Sequence, residues 1–186
     1  LSGLPYEKLE ARVAGEMGDE ELKKRIAPHG IGEDDLRAIL YLGSFDKAHE
    51  NYFLYNLNFN LEDGKEEFIE EISDYICYVQ RALNKLPTFE GTVYFATTKT
   101  VEIDFAVDDS IRFSSIIFAT RSYDDIKAWV EDRPADYHVF KVRTKNARDT
   151  TVICSTFQNE VLLPIEYSYT VKKIKNNIIE LEEEED

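Results

Sequence analysis

At 186 residues, with 43% hydrophobic content and 11 Tyr and 11 Phe, the chain is long enough to bury a sizeable core and reads as one domain with a helical appendage. Its net charge of -15 argues against nucleic acid or anionic lipid as a partner, because both would be repelled by the general field. No run of about 18 apolar residues is present, so no transmembrane span is expected.

The chain begins at Leu1 without a Met or a leader pattern, and so reads as a segment of a longer, multidomain protein. Cys77 and Cys154 match no metal or redox spacing. They read as two buried free thiols in a reducing, cytoplasmic setting, with a disulfide between them left open.

The first half is helical. Pro5 to Ala14 predicts a short helix ended by Gly15 and Gly18, and Asp19 caps a second, Glu20 to Ile26, stopped by Ala27-Pro28-His29-Gly30. A third starts near Glu33, carries Leu36, Ile39 and Leu40 on one face, and ends at Gly43. Ser44 caps a further helical segment from Phe45 to about Leu57. The longest helix runs from Lys65 to Asn84, with Phe68, Ile72, Ile76, Val79 and Leu83 at helical spacing, and closes at Leu86-Pro87. Such a stripe is core packing.

At Phe89-Glu90-Gly91 the period changes from helical to alternating, which marks the main architectural boundary. Strands are expected at Thr92 to Ala96, Val101 to Val107, Ile111 to Ala119, Tyr137 to Val142, Thr151 to Cys154, Val161 to Lys172 and Ile178 to Leu181. A short helix spans Tyr123 to Glu131. Helices first and strands afterwards, with hairpin-length links, define an α+β fold: an N-terminal helical lobe on a mostly antiparallel β core. The expected division is a helical extension at 1–32, the main domain at 33–181 and an acidic, disordered tail at 182–186.

One stretch stands out for chemistry. Ser155-Thr156-Phe157-Gln158-Asn159 is a hairpin-length polar loop running into Glu160-Val161-Leu162-Leu163-Pro164, so a carboxylate stands where an apolar strand begins. Anchored that way, Glu160 is held in one direction, as a site on a rigid element requires. Locally it also reads as the last solvated residue of a turn. Other candidates carry less. His29, His49 and His138 share no metal or catalytic spacing, and Asp104, Asp108 and Asp109 resemble a turn more than a calcium loop.

The order of landmarks resembles the mono-ADP-ribosyltransferases of the arginine-serine-glutamate type, which include ecto-enzymes and bacterial toxins. Leu36 to Tyr41, Gly43-Ser44-Phe45 and Asn51 are similar to that family's early helix pair, and Ala82 to Pro87 with Gly91-Thr92-Val93-Tyr94 to its last long helix and first core strand. Phe118-Ala119-Thr120-Arg121-Ser122 stands where the family has an aromatic followed by Ser-Thr-Ser. Tyr137 to Val142 resembles the next core strand, and Ile153 to Pro164 the strand, loop and Glu-x-Glu-Val-Leu-x-Pro segment.

The resemblance implies a sandwich of that type and cleavage of the nicotinamide–ribose bond of NAD, with transfer of ADP-ribose to an acceptor side chain. The transition state is oxocarbenium-like, so a cation clamps phosphate, a hydroxyl positions the ribose and a carboxylate stabilises the developing charge. On the matching positions, Glu160 is the catalytic glutamate and Gln158 the first acidic position. Thr120 stands for the first serine, Ser122 closes that motif, and Phe157 is an acceptor-contacting aromatic of the loop.

The departures matter equally. Phe95 stands where the family has its phosphate-binding arginine, and loss of that contact costs about 1.5–3 kcal/mol, or one to two orders of magnitude in affinity. Lys99, Arg112 or Arg121 could replace the cation. The loop before Glu160 is about two residues short of the family norm. Two readings follow. One is a pseudoenzyme with weakened or lost NAD binding that acts as a protein-interaction or regulatory module. The other is an active, atypical mono-ADP-ribosyltransferase or NAD glycohydrolase of toxin type, working in the cytoplasm or delivered into that of a host.

Overall fold

The computed structural model describes residues 6–42, 45–46, 51–52, 66–98, 104–113, 116–153, 159–165 and 167–185. These divide into two compact units, Leu1–Pro87 with Val152–Ser155, and Thr88–Thr151 with Thr156–Asp186.

The first unit is helical: α1 (Tyr6–Met17), α2 (Glu20–Ile26), α3 (Glu33–Leu42) and α4 (Glu66–Leu83). Asp19 caps α2 by accepting from the Glu21 N–H at 2.9 Å, and Gly30, in the left-handed region at φ 64°, ends the 3-10 turn Ala27–His29. Leu22, Leu36, Val79 and Ala82 are buried without remainder or nearly so. Asp35, also buried, accepts from Lys85 at 2.7 Å and from the Gly32 N–H at 2.8 Å, which ties the start of α3 to the end of α4. Burial pushes its carboxyl up, but Lys85 and the Gly32 N–H outweigh it and the net shift is downward.

Two expectations fail in this unit. Where a helix was expected from Phe45, Phe45–Asp46 (β1) and Asn51–Tyr52 (β2) pair antiparallel; aromatics suit a pleated ribbon at least as well as a helical face. The rest of that segment lies outside the described residues. Cys77, expected buried, is exposed, because its helix turns the stripe through Val79 and Leu83 inward instead. Cys154 lies outside the described residues.

The second unit is built on β3 (Thr88–Thr98) and β6 (Tyr137–Asp149), a long antiparallel pair broken by an irregularity between Phe89 and Gly91. A Cβ at Gly91 would lie 2.7 Å from the Phe89 ring, so the bend requires glycine. Around them lie β4 (Ser110–Arg112), β5 (Ile117–Thr120), α5 (Asp124–Asp132), β7 (Glu160–Leu163), β8 (Ser168–Lys175) and β9 (Ile178–Glu183). The order is β3-β5-β7-β6-β9-β8-β4, and the extra β3–β6 pairing curls the first four strands into a ring. All pairings are antiparallel except β6–β9.

Val93, Phe95, Phe140, Val142, Val161, Leu163, Tyr169, Val171 and Leu181 form the core on one face of this sheet. On the other face α5 lays Ile126 and Val130 over Val139, with Tyr94, Ala96 and Tyr123 against them. Each aliphatic side chain buried in this way stabilises by about 1.5–3 kcal/mol.

The strand expected from Ile111 to Ala119 is in fact two: β4, at one end of the sheet order, and β5, which lies between β3 and β7. Thr151 to Ile153 form a turn, not a strand, and Val107–Asp108 is also a turn. Val101 to Ile103 lie outside the described residues. The acidic tail is the largest correction. β9 continues through Glu183, which is buried, accepting from the Thr144 hydroxyl at 2.5 Å, the Lys145 N–H at 2.9 Å and the Asn146 N–H at 3.2 Å, and from the Asn146 carboxamide. Donors from an irregular stretch of β6 give this carboxylate a reason to be ordered that composition does not reveal.

Candidate functional site

Glu160 is the first residue of β7, and cross-strand pairing sets what surrounds it. Thr120 of β5 stands directly opposite Glu160, Tyr94 of β3 opposite Thr120, Lys141 of β6 opposite Tyr94, and Glu180 of β9 opposite Lys141. Paired residues project on one face, so these five form a row across five strands. The same face carries Arg148, which is buried and pairs with Leu162, two residues along β7 from Glu160.

The backbone of Glu160 is fixed from two sides. The Thr150 hydroxyl donates to the Glu160 carbonyl at 2.9 Å and lies 3.5 Å from Oε1, and the Arg121 N–H donates to the Asn159 carbonyl at 2.8 Å. Burial pushes the Glu160 carboxyl up, and the Thr150 hydroxyl offsets this only in part. No cation enters that balance.

Thr120 is engaged elsewhere. Its hydroxyl donates to Asp125 of α5 and accepts from the Ser122 N–H at 3.2 Å, while Asn159 donates its carboxamide N–H to Asp125 at 3.1 Å. Ser122 therefore enters the site through its backbone. Tyr94 meets Tyr123 edge to face, ring centroids 5.6 Å apart.

Alternation along β3 sends Phe95 the other way. It is buried in the core, its ring parallel to that of Phe140 at 4.6 Å and edge-on to Phe113 at 5.5 Å. The side chain that follows Tyr94 thus projects away from Glu160 and Thr120.

The replacement cations fare as follows. Arg121 alternates onto the core-side face, ion-pairs with Asp149 at 2.5 Å and lies over the Phe89 ring at 4.4 Å. Arg112 is on β4, at the far end of the sheet order, where it donates to the Ser168 hydroxyl at 3.3 Å. Lys99, Phe157 and Gln158 lie outside the described residues. Among the described residues no group of three or more His, Cys, Asp or Glu could hold a metal ion, and no helix is long and apolar enough to cross a membrane.

Sequence reasoning missed Thr150, Asp125, Asp149 and Arg148. No periodicity marks them, since Arg148 and Asp149 join the site through strand register and Thr150 and Asp125 through side-chain hydrogen bonds. The side taken by Phe95 was legible: Val93-Tyr94-Phe95 alternates, so Phe95 must share the face of buried Val93.

No protein-family model and no curated protein matches the sequence. Solved structures do match. The ADP-ribosyltransferase HopU1 of Pseudomonas syringae pv. tomato superposes with a TM-score of 0.72 at 18% identity, over 99% of this chain and 89% of that one. A mutant of the eukaryotic mono-ADP-ribosyltransferase ART2.2 in complex with NAD gives 0.65 at 16% identity, over 97% and 86%. Vis toxin, an ADP-ribosyltransferase from Vibrio splendidus, gives 0.63 at 14% identity, over 98% and 87%. The fold is that of the mono-ADP-ribosyltransferases, an α+β architecture with a largely antiparallel core. At these identities the likeness establishes the fold and leaves the chemistry to the residues.

Proposed function

We propose that this chain is an ADP-ribosyltransferase-fold domain whose NAD binding is weakened or lost and which serves as a protein-interaction or regulatory module. The observation that carries this reading is Phe95. At the position where the fold's enzymes are expected to present a phosphate-binding arginine, the side chain is apolar, buried in the core and on the opposite face of the sheet from Glu160. Two further features support it. The Thr120 hydroxyl is committed to Asp125, and Arg121 is committed to Asp149.

A second reading has its own observation. Arg148 lies on the face of Glu160, supplied by β6 rather than β3, and would give an atypical mono-ADP-ribosyltransferase or NAD glycohydrolase a cation. ART2.2 was solved with NAD, which makes NAD the substrate to test. Likeness to a bacterial toxin supports a cytoplasmic setting, the cell's own or a host's.

Calorimetric titration with NAD, together with consumption of labelled NAD, separates the two. The module reading expects no saturable heat at millimolar NAD and no turnover. Turnover that vanishes in Glu160→Ala, with binding that vanishes in Arg148→Met, would establish the second reading and overturn the first.

A further inference from the structure

A separate concavity lies at the C-terminal end of α5, where that helix meets the β8–β9 hairpin. Its volume is about 110 Å³, with Val130 and Val139 in its lining. That is comparable to the ~150 Å³ of an engineered protein cavity that holds benzene, so one compact group fits. Tyr123 and Tyr137 supply aromatic surface, and among the described residues that line it Glu131 is the only ionisable acid or base apart from those two phenols, with no lysine or arginine.

The walls are held in place by contacts of their own. The Asn177 carboxamide donates to the Pro134 carbonyl at 3.2 Å, and the Val139 N–H donates to the Asn177 carbonyl at 2.8 Å, so the hairpin tip is tied to the end of α5 and to β6. Asn176 and Asn177 both adopt positive φ, 50° and 63°, the conformation of a tight two-residue hairpin turn. The Tyr137 ring already has a cation near it: the Arg133 guanidinium stands 6.0 Å from its centroid.

Two tyrosine rings and a carboxylate around a cavity the size of one small group suit an alkylammonium ion. The rings attract it through their quadrupoles, the carboxylate through its charge, and the apolar lining takes the methylene stem. We infer that this cavity binds a lysine side chain of a protein partner. The inference rests on the interaction-module reading and gives that module a docking point and a partner chemistry. The net charge of -15 favours a basic partner in the same sense.

The test is an amide- and aromatic-resolved NMR titration of the chain with a short lysine-containing peptide and with the same peptide carrying norleucine, which keeps the stem and removes the charge. Saturable shifts at Tyr137, Asn177 and Ile178 are expected, with the norleucine peptide weaker by about two- to thirty-fold. Glu131→Gln, an exposed position, should weaken the lysine peptide and leave the norleucine peptide unchanged, and Tyr137→Phe should keep binding while Tyr137→Leu reduces it. Equal binding of the two peptides, or shifts that map elsewhere, would overturn the proposal. Binding of tetramethylammonium alone with no response to the peptide would overturn a protein partner. NAD turnover would refute the module reading without moving these shifts, so the two failures are distinguishable.

Discussion

Phe95 and Phe140, directly opposed on β3 and β6, lie with their rings 4.6 Å apart and their planes within 2° of parallel, inside the core of the sheet. This pair decides what a substitution at Phe95 can do. Restoring an arginine there would place an unpaired charge in the apolar core and remove the stacked ring. Phe95→Arg should therefore lose more than about 3 kcal/mol in chemical denaturation and gain no NAD binding by calorimetry. A stable variant that binds NAD would show that the side chain reaches the face of Glu160.

Glu160 carries a pH signature. Burial raises its pKa above the ordinary 4.5, so the folded state holds this proton more tightly than the unfolded state does. Stability contributed by the neutral form is present below the unfolded value and is lost as pH rises through the folded value. Glu160→Gln, which is neutral throughout, should be more stable than the native chain at pH 7, with the difference closing below about pH 4. Denaturation midpoints across that range check it, and parallel curves at all pH would contradict it.

Arg121 and Asp149 should behave in the opposite sense. Burial pushes the Asp149 carboxyl up, but Arg121 and Thr151 outweigh it and hold its pKa below the ordinary 3.8. Stability from this ion pair is present above that value and lost as pH falls through the lower, folded one. Both side chains keep 20–25% of their exposure, and solvent screening reduces the coupling to about 1–2 kcal/mol. A double-mutant cycle of Arg121→Met and Asp149→Asn should return that coupling, and the single Arg121 variant should lose less stability than the native chain on acidification below about pH 4.

The end of the chain offers a sharper contrast. Glu183 is buried among donors from Thr144, Lys145 and Asn146, whereas Glu185 is exposed and reaches the exposed Lys145. Glu183→Ala leaves those donors without their acceptor, the buried Thr144 hydroxyl among them, and should cost about 2–3 kcal/mol. Glu183→Gln should cost less, and Glu185→Ala should leave the denaturation midpoint unchanged. Equal effects at Glu183 and Glu185 would restore the view of this segment as a loose acidic tail.

Much of the architecture was legible in the residues themselves. The change of period at Phe89-Glu90-Gly91 falls at the division between the two units at Pro87 and Thr88, and Glu160 does begin a strand as its apolar followers require. Both are consequences of local backbone geometry, which fixes where a side chain can point within its own element. Sequence failed where pairing partners are far apart: Ile111 to Ala119 became two strands that are not neighbours in the sheet, and the acidic run continues an interior strand whose Glu183 is buried and held by residues 37–39 positions away.

The sequence by itself determined the order of helices and strands, the family resemblance and the carboxylate at the start of β7. Only the tertiary structure decided that Thr120 stands opposite Glu160 and gives its hydroxyl to Asp125, that Arg148 shares their face, and that Arg121 is committed to Asp149. The physical reason is register. A side chain's face follows from its own strand's period of two, but its neighbours follow from which strands pair and at what offset, and long-range packing sets both.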